Sequence, residues 1–414
     1  MSLPGLLPLP PGGDVEATTA WVAEHLGHLS LEGADGAVAS PRFRGGQSAA
    51  DAVLASLDIR GYANQRNQVL PESRRGATAV SPYVRHGLIG LRELWDHVGD
   101  APARDRDKYR DELLWQEYSR HLYARLGPAT AHPLRREVAP APARWPQPWP
   151  AEMACMAATV GELERDGWLV NQTRMWLSSQ WSLRAGHDWR AGEDVFFTHL
   201  LDGSRAANRL GWQWTVGTGT GRPYGFSRWQ VEKRAAELCR GCALSARCPI
   251  EDWPPEQAGP GVEGDPRLGA DVDLAATRGP GEPVILAEPE LVWLTAESLG
   301  DTDPALAAHP ERPAVFVFDV ALLERVRLST KRLIFLAETL ADLAARRELH
   351  IALGRPVEVL AGRRLAVTFA PVPGFRRRSR LLGPVALHPW PWLSRPHAGS
   401  LASFSAWRRK LRVP

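Results

Sequence analysis

The hydrophobic period changes once along this chain, and that change limits what it can fold into. Before residue 254 the apolar residues recur at helical spacing. Ser48 to Leu57, Pro82 to Val98, Asp105 to Leu126 and Glu152 to Trp181 each read as helix. Between them Pro133 to Pro150 holds six prolines and excludes regular helix. Residues 254–283 carry Pro254-Pro255, Gly259-Pro260-Gly261 and Gly279-Pro280-Gly281 in an acidic run, which reads as a linker. Beyond it come short apolar runs at Leu291 to Leu294, Ala314 to Phe318, His350 to Leu353, Leu365 to Phe369 and Val385 to His388. An amphipathic helix over Ser329 to Arg347 lies among them. Strands alternating with helices predict a parallel α/β sheet. The expected plan is a loose N-terminus (1–14), a mostly α domain (15–253), a linker (254–283) and a smaller α/β domain (284–414).

With 414 residues the chain is long enough for two or three cores. No run of 18 or more apolar residues occurs, so no membrane-spanning helix is expected. Leu3 to Pro10 is apolar but proline-rich and lacks a basic leader, which points to a cytoplasmic protein. The net charge is +3, yet only Lys108, Lys233, Lys331 and Lys410 are lysine. Arginine forks match phosphate geometry, so a nucleic-acid partner is compatible. Genomic base composition explains the bulk arginine excess equally well. Cys239-x2-Cys242-x5-Cys248-Pro249 has the spacing of a metal site, and Cys155 is the fourth cysteine.

Nine of the 17 tryptophans fall between Trp145 and Trp229. One tryptophan alone reads as core packing. The context argues for more. Trp212-Gln213-Trp214 follows Asn208 and precedes Gly217-Thr218-Gly219. Upstream lie Trp189-Arg190, Gly192 to Phe196, Leu201-Asp202-Gly203 and Ala206-Ala207-Asn208. Further upstream are Gly167-Trp168, Asn171 and Arg174-Met175, then Glu112 to Tyr118, then Thr78 to Gly87 with Ser81-Pro82-Tyr83. In this order, over residues 45–229, the motifs resemble the photolyase and cryptochrome family of flavoproteins.

The resemblance implies a helical FAD-binding domain. Tyr62, Thr78, Ala79, Val80 and Ser81 would lie near the FAD phosphates. Gln116, Asn171, Arg174, Phe196, Asp202, Ser204 and Asn208 would surround the rest, with Asp202 paired to Arg174 and Asn208 at the flavin. Positions 168, 171 and 175 are expected on one face of one helix. The implied lesion-facing set is Glu112, Trp115, Trp168, Met175 and Trp214: the glutamate bonds the pyrimidine carbonyls and Trp115 stacks on the bases. Trp212 and Trp189 would carry electrons to the flavin, with Trp145 and Trp149 as candidates for the outer member. Val170 stands where many relatives have histidine, which disfavours the (6-4) branch.

The cysteines are similar to those of the iron–sulfur bacterial branch, which implies that Cys155, Cys239, Cys242 and Cys248 hold a [4Fe–4S] cluster, with zinc as the alternative. Arg228 is a candidate DNA contact, and the run Arg376-Arg377-Arg378 with Arg380 is a weaker one. In the second half Val292-Trp293-Leu294, Asp303 to Leu306, Val315 to Asp319, Leu333 to Leu343 and Ser400 to Trp407 resemble the family's antenna domain and the segment after it. That Rossmann-like domain usually comes first, so the order here implies a circular permutation. Ala296 stands where arginine is usual, which leaves an antenna chromophore open. The implied activity is blue-light-driven repair of cyclobutane pyrimidine dimers in DNA by a monomer with no membrane partner. The alternative is a cryptochrome-like photoreceptor that signals through flavin redox state. A flavin and iron–sulfur protein with no light-driven role is a third reading.

Overall fold

The computed structural model describes residues 3–141, 144–254 and 258–411. No helix among them is long and apolar enough to cross a membrane. Helices dominate up to residue 240. The longest is Ala103–Leu126, which starts after Pro102 and ends at Gly127, whose φ of 58° a side chain would resist. The run expected as one helix from Glu152 to Trp181 is broken. Gly167 adopts φ 67° and separates Ala154–Asp166 from Asn171–Ser179. Trp168 therefore precedes its helix instead of riding on it, and the expected single face for 168, 171 and 175 is corrected to a turn plus a helix. The Pro82 to Val98 run likewise splits into Ser81–Arg85 and Leu91–His97 around Gly87 and Gly90.

Seven strands form one sheet: β1 (Leu6–Leu7), β2 (Val284–Ile285), β3 (Leu291–Leu294), β4 (Ala314–Asp319), β5 (Leu349–Gly354), β6 (Leu365–Thr368) and β7 (Ala386–His388). Their order is β1-β5-β4-β3-β6-β7-β2. The five inner strands are parallel, and β1 and β2 cap the edges antiparallel. Every residue of β3 and β6 is buried, as strands covered on both faces require. Winding runs from β3 through β4 to β5 on one side and from β6 to β7 on the other. The carboxyl ends of β3 and β6 thus flank the point where the order reverses, the usual place for a ligand in a doubly wound sheet.

Two loose segments of the sequence are tied down. Of the N-terminus expected to be loose, Leu3 is buried and Leu6–Leu7 pairs with Ala352 and Ile351 of β5. In the expected linker, residues 255–257 lie outside the described residues, but the rest is packed. Arg125 and Asp271 form a buried ion pair at 3.2 Å, Leu268 is buried, and Leu274–Arg278 is helical. Proline and glycine marked irregular backbone there correctly, but not its packing.

The helical layer meets the sheet layer through buried arginine. Arg332, on the Thr330–Ala344 helix, donates to the carbonyls of Phe197 and Gly203. The guanidiniums of Arg205 (4.1 Å) and Arg332 (4.8 Å) both lie over the Phe197 ring. Burial, reinforced by Arg85, pushes the Arg332 pKa down to about 9. Arg85 donates to the same Gly203 carbonyl at 2.8 Å and pairs with Glu297, just beyond β3, at 3.0 Å.

Candidate active site

A cavity of about 510 Å³ opens within the helical layer, in the range of ligand pockets. The Ala207–Val216 helix supplies Asn208, Trp212 and Trp214 to it. Gly192 lets that helix seat, because a Cβ there would lie 2.2 Å from the Trp212 ring. Asn171, Arg174 and Met175 come from the Asn171–Ser179 helix, and Trp168 from the turn before it. Glu112, Trp115 and Gln116 come from Ala103–Leu126. Tyr62 and residues Thr78, Ala79, Val80 and Ser81 close one end, and Phe196 and Asp202 line the wall. Ser204 is the exception among the residues expected near the cofactor: it lines the interlayer cavity described below.

The groups in this cavity are largely fixed. Arg174 clamps Asp202 with two bonds, at 3.1 and 2.7 Å. The Trp168 indole N–H donates to Ser81 Oγ at 3.0 Å, so that hydroxyl keeps a proton to donate. Glu112 faces Lys108 at 2.8 Å and Arg66 at 3.3 Å. Arg66 has no motif around it, and its role is visible only in the fold. Burial, with Glu112 nearby, raises the Tyr62 pKa well above the usual phenol range. The amide Nδ2 of Asn208 is buried with no partner. An unmet donor at a cavity wall costs about 1–3 kcal/mol unless a ligand accepts from it.

An aromatic path leaves the cavity through Trp212. Its ring meets Trp181 edge-on at 6.4 Å, and Trp181 meets Trp149 at 4.8 Å. Trp181 sits on a π turn, Gln180–Arg184, and the turn and its indole bond to the Asp188 carbonyl (2.8 Å) hold it there. Trp189 is buried in the same cluster, but it makes no ring contact with Trp212 among the described residues. Trp145 packs partly buried nearby.

A second cavity, about 340 Å³, lies between the layers at the carboxyl ends of β3, β4 and β6. Arg85, Arg120, Arg205, Arg325, Arg332 and Arg378 reach it, against Asp319 and Glu297. Arg378 is paired with Asp319, and Arg376 with the Ala124 carbonyl, so two members of the arginine run face the protein.

The four cysteines line one small cavity of about 20 Å³. Burial, with the other three cysteines adding, pushes the Cys155 thiol up to about 12, and burial raises Cys239 to about 11. Among the described residues no three metal-binding side chains stand ready to hold an ion. Arg228 also borders this cavity and pairs with Glu232 (2.8 Å) and Glu251 (3.0 Å).

Part of the cavity lining, including Glu112, Arg174 and Asn208, falls within a stretch that matches a known family. Residues 109–236 match the family described as the FAD binding domain of DNA photolyase. Over that stretch, less than a third of the chain, the sequence resembles such a domain. It is 29% identical over 196 residues to a deoxyribodipyrimidine photo-lyase of Synechococcus sp., covering 42% of this chain and 39% of that protein. The enzyme of the same name from Escherichia coli is 35% identical over 125 residues, 27% of this chain and 25% of its own. A Synechocystis cryptochrome structure is 20% identical with a TM-score of 0.42, over 48% of this chain and 45% of that one. The chain spans less than half the length of the curated relatives it matches.

Proposed function

We propose that this protein repairs cyclobutane pyrimidine dimers in DNA, using FAD and blue light. The observation that carries the reading is that one cavity holds both the residues suited to a flavin and those suited to a flipped dimer. The unpartnered Asn208 amide and the Arg174–Asp202 clamp fit FAD. When bound, FAD would absorb the light and supply the electron. The chain's own residues bind and orient. Thr78 and Ser81 hydroxyls serve the phosphates. Trp115, Trp168, Trp214 and Met175 enclose the extruded bases, and such stacking is worth about 1–3 kcal/mol per base. Flipping is cheapest where pairing is already broken. Glu112, oriented by Lys108 and Arg66, faces the pyrimidine edge, where its carboxylate accepts from a ring N–H.

The same reading assigns the sheet layer as an antenna-type domain in permuted order. Its arginine-rich interlayer cavity suits an anionic light-absorbing ligand. The cysteine cavity has the donor set for a [4Fe–4S] cluster or Zn²⁺. The raised thiols need a cation beside them to ionise, and holding one requires the sulfurs to close in. Iron with acid-labile sulfide in the purified protein is the expected result. Zinc alone would identify the other metal, and neither would remove the assignment.

The deciding experiment exposes thymine-dimer oligonucleotide to anaerobically reduced protein, in blue light and in the dark. Thymines should be restored only in light. Glu112→Ala should slow repair about 10- to 100-fold, the value of a charge-assisted hydrogen bond. Bound, photoreducible flavin without repair would instead favour the photoreceptor reading. A visible spectrum without flavin would sink both.

A further inference from the structure

We propose that Phe404 is a positioning residue for the lesion-stacking tryptophan. The inference rests on the repair reading above. Among the described residues the Trp115 and Phe404 rings form the closest and most parallel pair, with centroids 3.9 Å apart and planes 7° apart. They come from distant parts of the chain. Trp115 is on the Ala103–Leu126 helix, and Phe404 opens the short helix Phe404–Arg408.

That short helix is fastened along one face of the long one. Arg408 pairs with Asp111, Tyr118 Oη donates to the Leu401 carbonyl at 2.7 Å, and Trp407 Nε1 donates to His121 Nδ1 at 2.9 Å. Positions 111, 115, 118 and 121 are spaced by four, three and three, one stripe of a helix. Glu112, Trp115 and Gln116 form the neighbouring stripe and line the cavity. Trp115 belongs to both stripes, whereas Phe404 does not reach the cavity. Phe404 thus backs the indole, and an extruded base stacking on Trp115 would meet a ring plane already fixed. The entropy of ordering that side chain is spent in folding rather than on binding.

The test uses full-length, FAD-loaded protein and labelled single-stranded oligonucleotides, with and without one thymine dimer, in the dark. Phe404→Leu keeps apolar bulk and loses the flat ring; Phe404→Tyr keeps the ring. Phe404→Leu should raise the Kd for dimer DNA about 3- to 10-fold, the worth of an aromatic pair. It should leave the Kd for undamaged DNA and the turnover at saturating dimer unchanged. Phe404→Tyr should bind within about twofold of the parent. Equal flavin content and Tm across the variants keep folding out of the comparison. If the parent prefers dimer DNA and Phe404→Leu prefers it equally, Phe404 has no positioning role. If Phe404→Tyr loses as much as Phe404→Leu, bulk rather than ring stacking is at work and the proposal falls. If the parent shows no preference for the dimer, the repair reading itself fails.

Discussion

Asn208 shows how one side chain constrains a cavity. Its amide stands on the first turn of the Ala207–Val216 helix, buried, with Nδ2 unbonded. An unmet donor at a cavity wall fits a ligand atom that accepts from it. Trp181 makes a second point at this scale. The motif order suggested Trp189 as the ring next to Trp212, but the ring contacts run from Trp212 to Trp181 to Trp149. If electrons reach the flavin along touching rings, Trp181→Phe should slow flavin photoreduction more than Trp189→Phe. Transient absorption after a blue pulse checks this, and the reverse ranking would assign the step to Trp189. No motif marks Trp181; a π turn, invisible to periodicity, places it beside Trp212.

At the scale of elements, His86 packs between the turn before Asp202 and the end of β3, and as a neutral ring it donates to one carbonyl only. Its Nδ1 lies 2.7 Å from the Ala296 carbonyl and its Nε2 3.2 Å from that of Leu201. Burial, reinforced by Arg85, pushes its pKa down to about 3. The unfolded chain takes up a proton below about pH 6.5, whereas the native histidine stays neutral. This group therefore costs stability as pH falls from about 6.5 towards 3. Between pH 6.5 and pH 5 the loss should be on the order of 1–2 kcal/mol, measured by urea unfolding, and His86→Gln should lack that part of it. An equal acid loss in the variant would place the titration elsewhere. Element types were legible in the sequence because buried parallel strands and amphipathic helices have distinct periods. The residues that line the 510 Å³ cavity were legible because several motifs occurred in order. Breaks at Gly167 and Gly87, the pairing of Leu6–Leu7 with β5 and the Phe404 stack were not. They depend on positive φ or on partners more than a hundred residues away, which local pattern does not encode.

Across the whole molecule, the turn Leu201-Asp202-Gly203-Ser204 joins the two large cavities. Asp202 holds Arg174 on the side of the 510 Å³ cavity. The Gly203 carbonyl accepts from Arg85 and Arg332, and Ser204 lines the interlayer cavity. Arg332 comes from the sheet layer, so that layer fixes the backbone beside the proposed flavin site. Removing it leaves the buried Phe197 carbonyl short of a donor and strips Gly203 of one of two. Arg332→Ala should therefore lower stability by about 2 kcal/mol or more. The loss should not be confined to the sheet. Flavin release followed by visible absorbance and unfolding followed by circular dichroism should move together to lower denaturant, because the turn that carries Asp202 loses its anchor. Unchanged flavin release with earlier loss of secondary structure would show that the layers hold their ligands independently, and the turn would then be a packing contact alone.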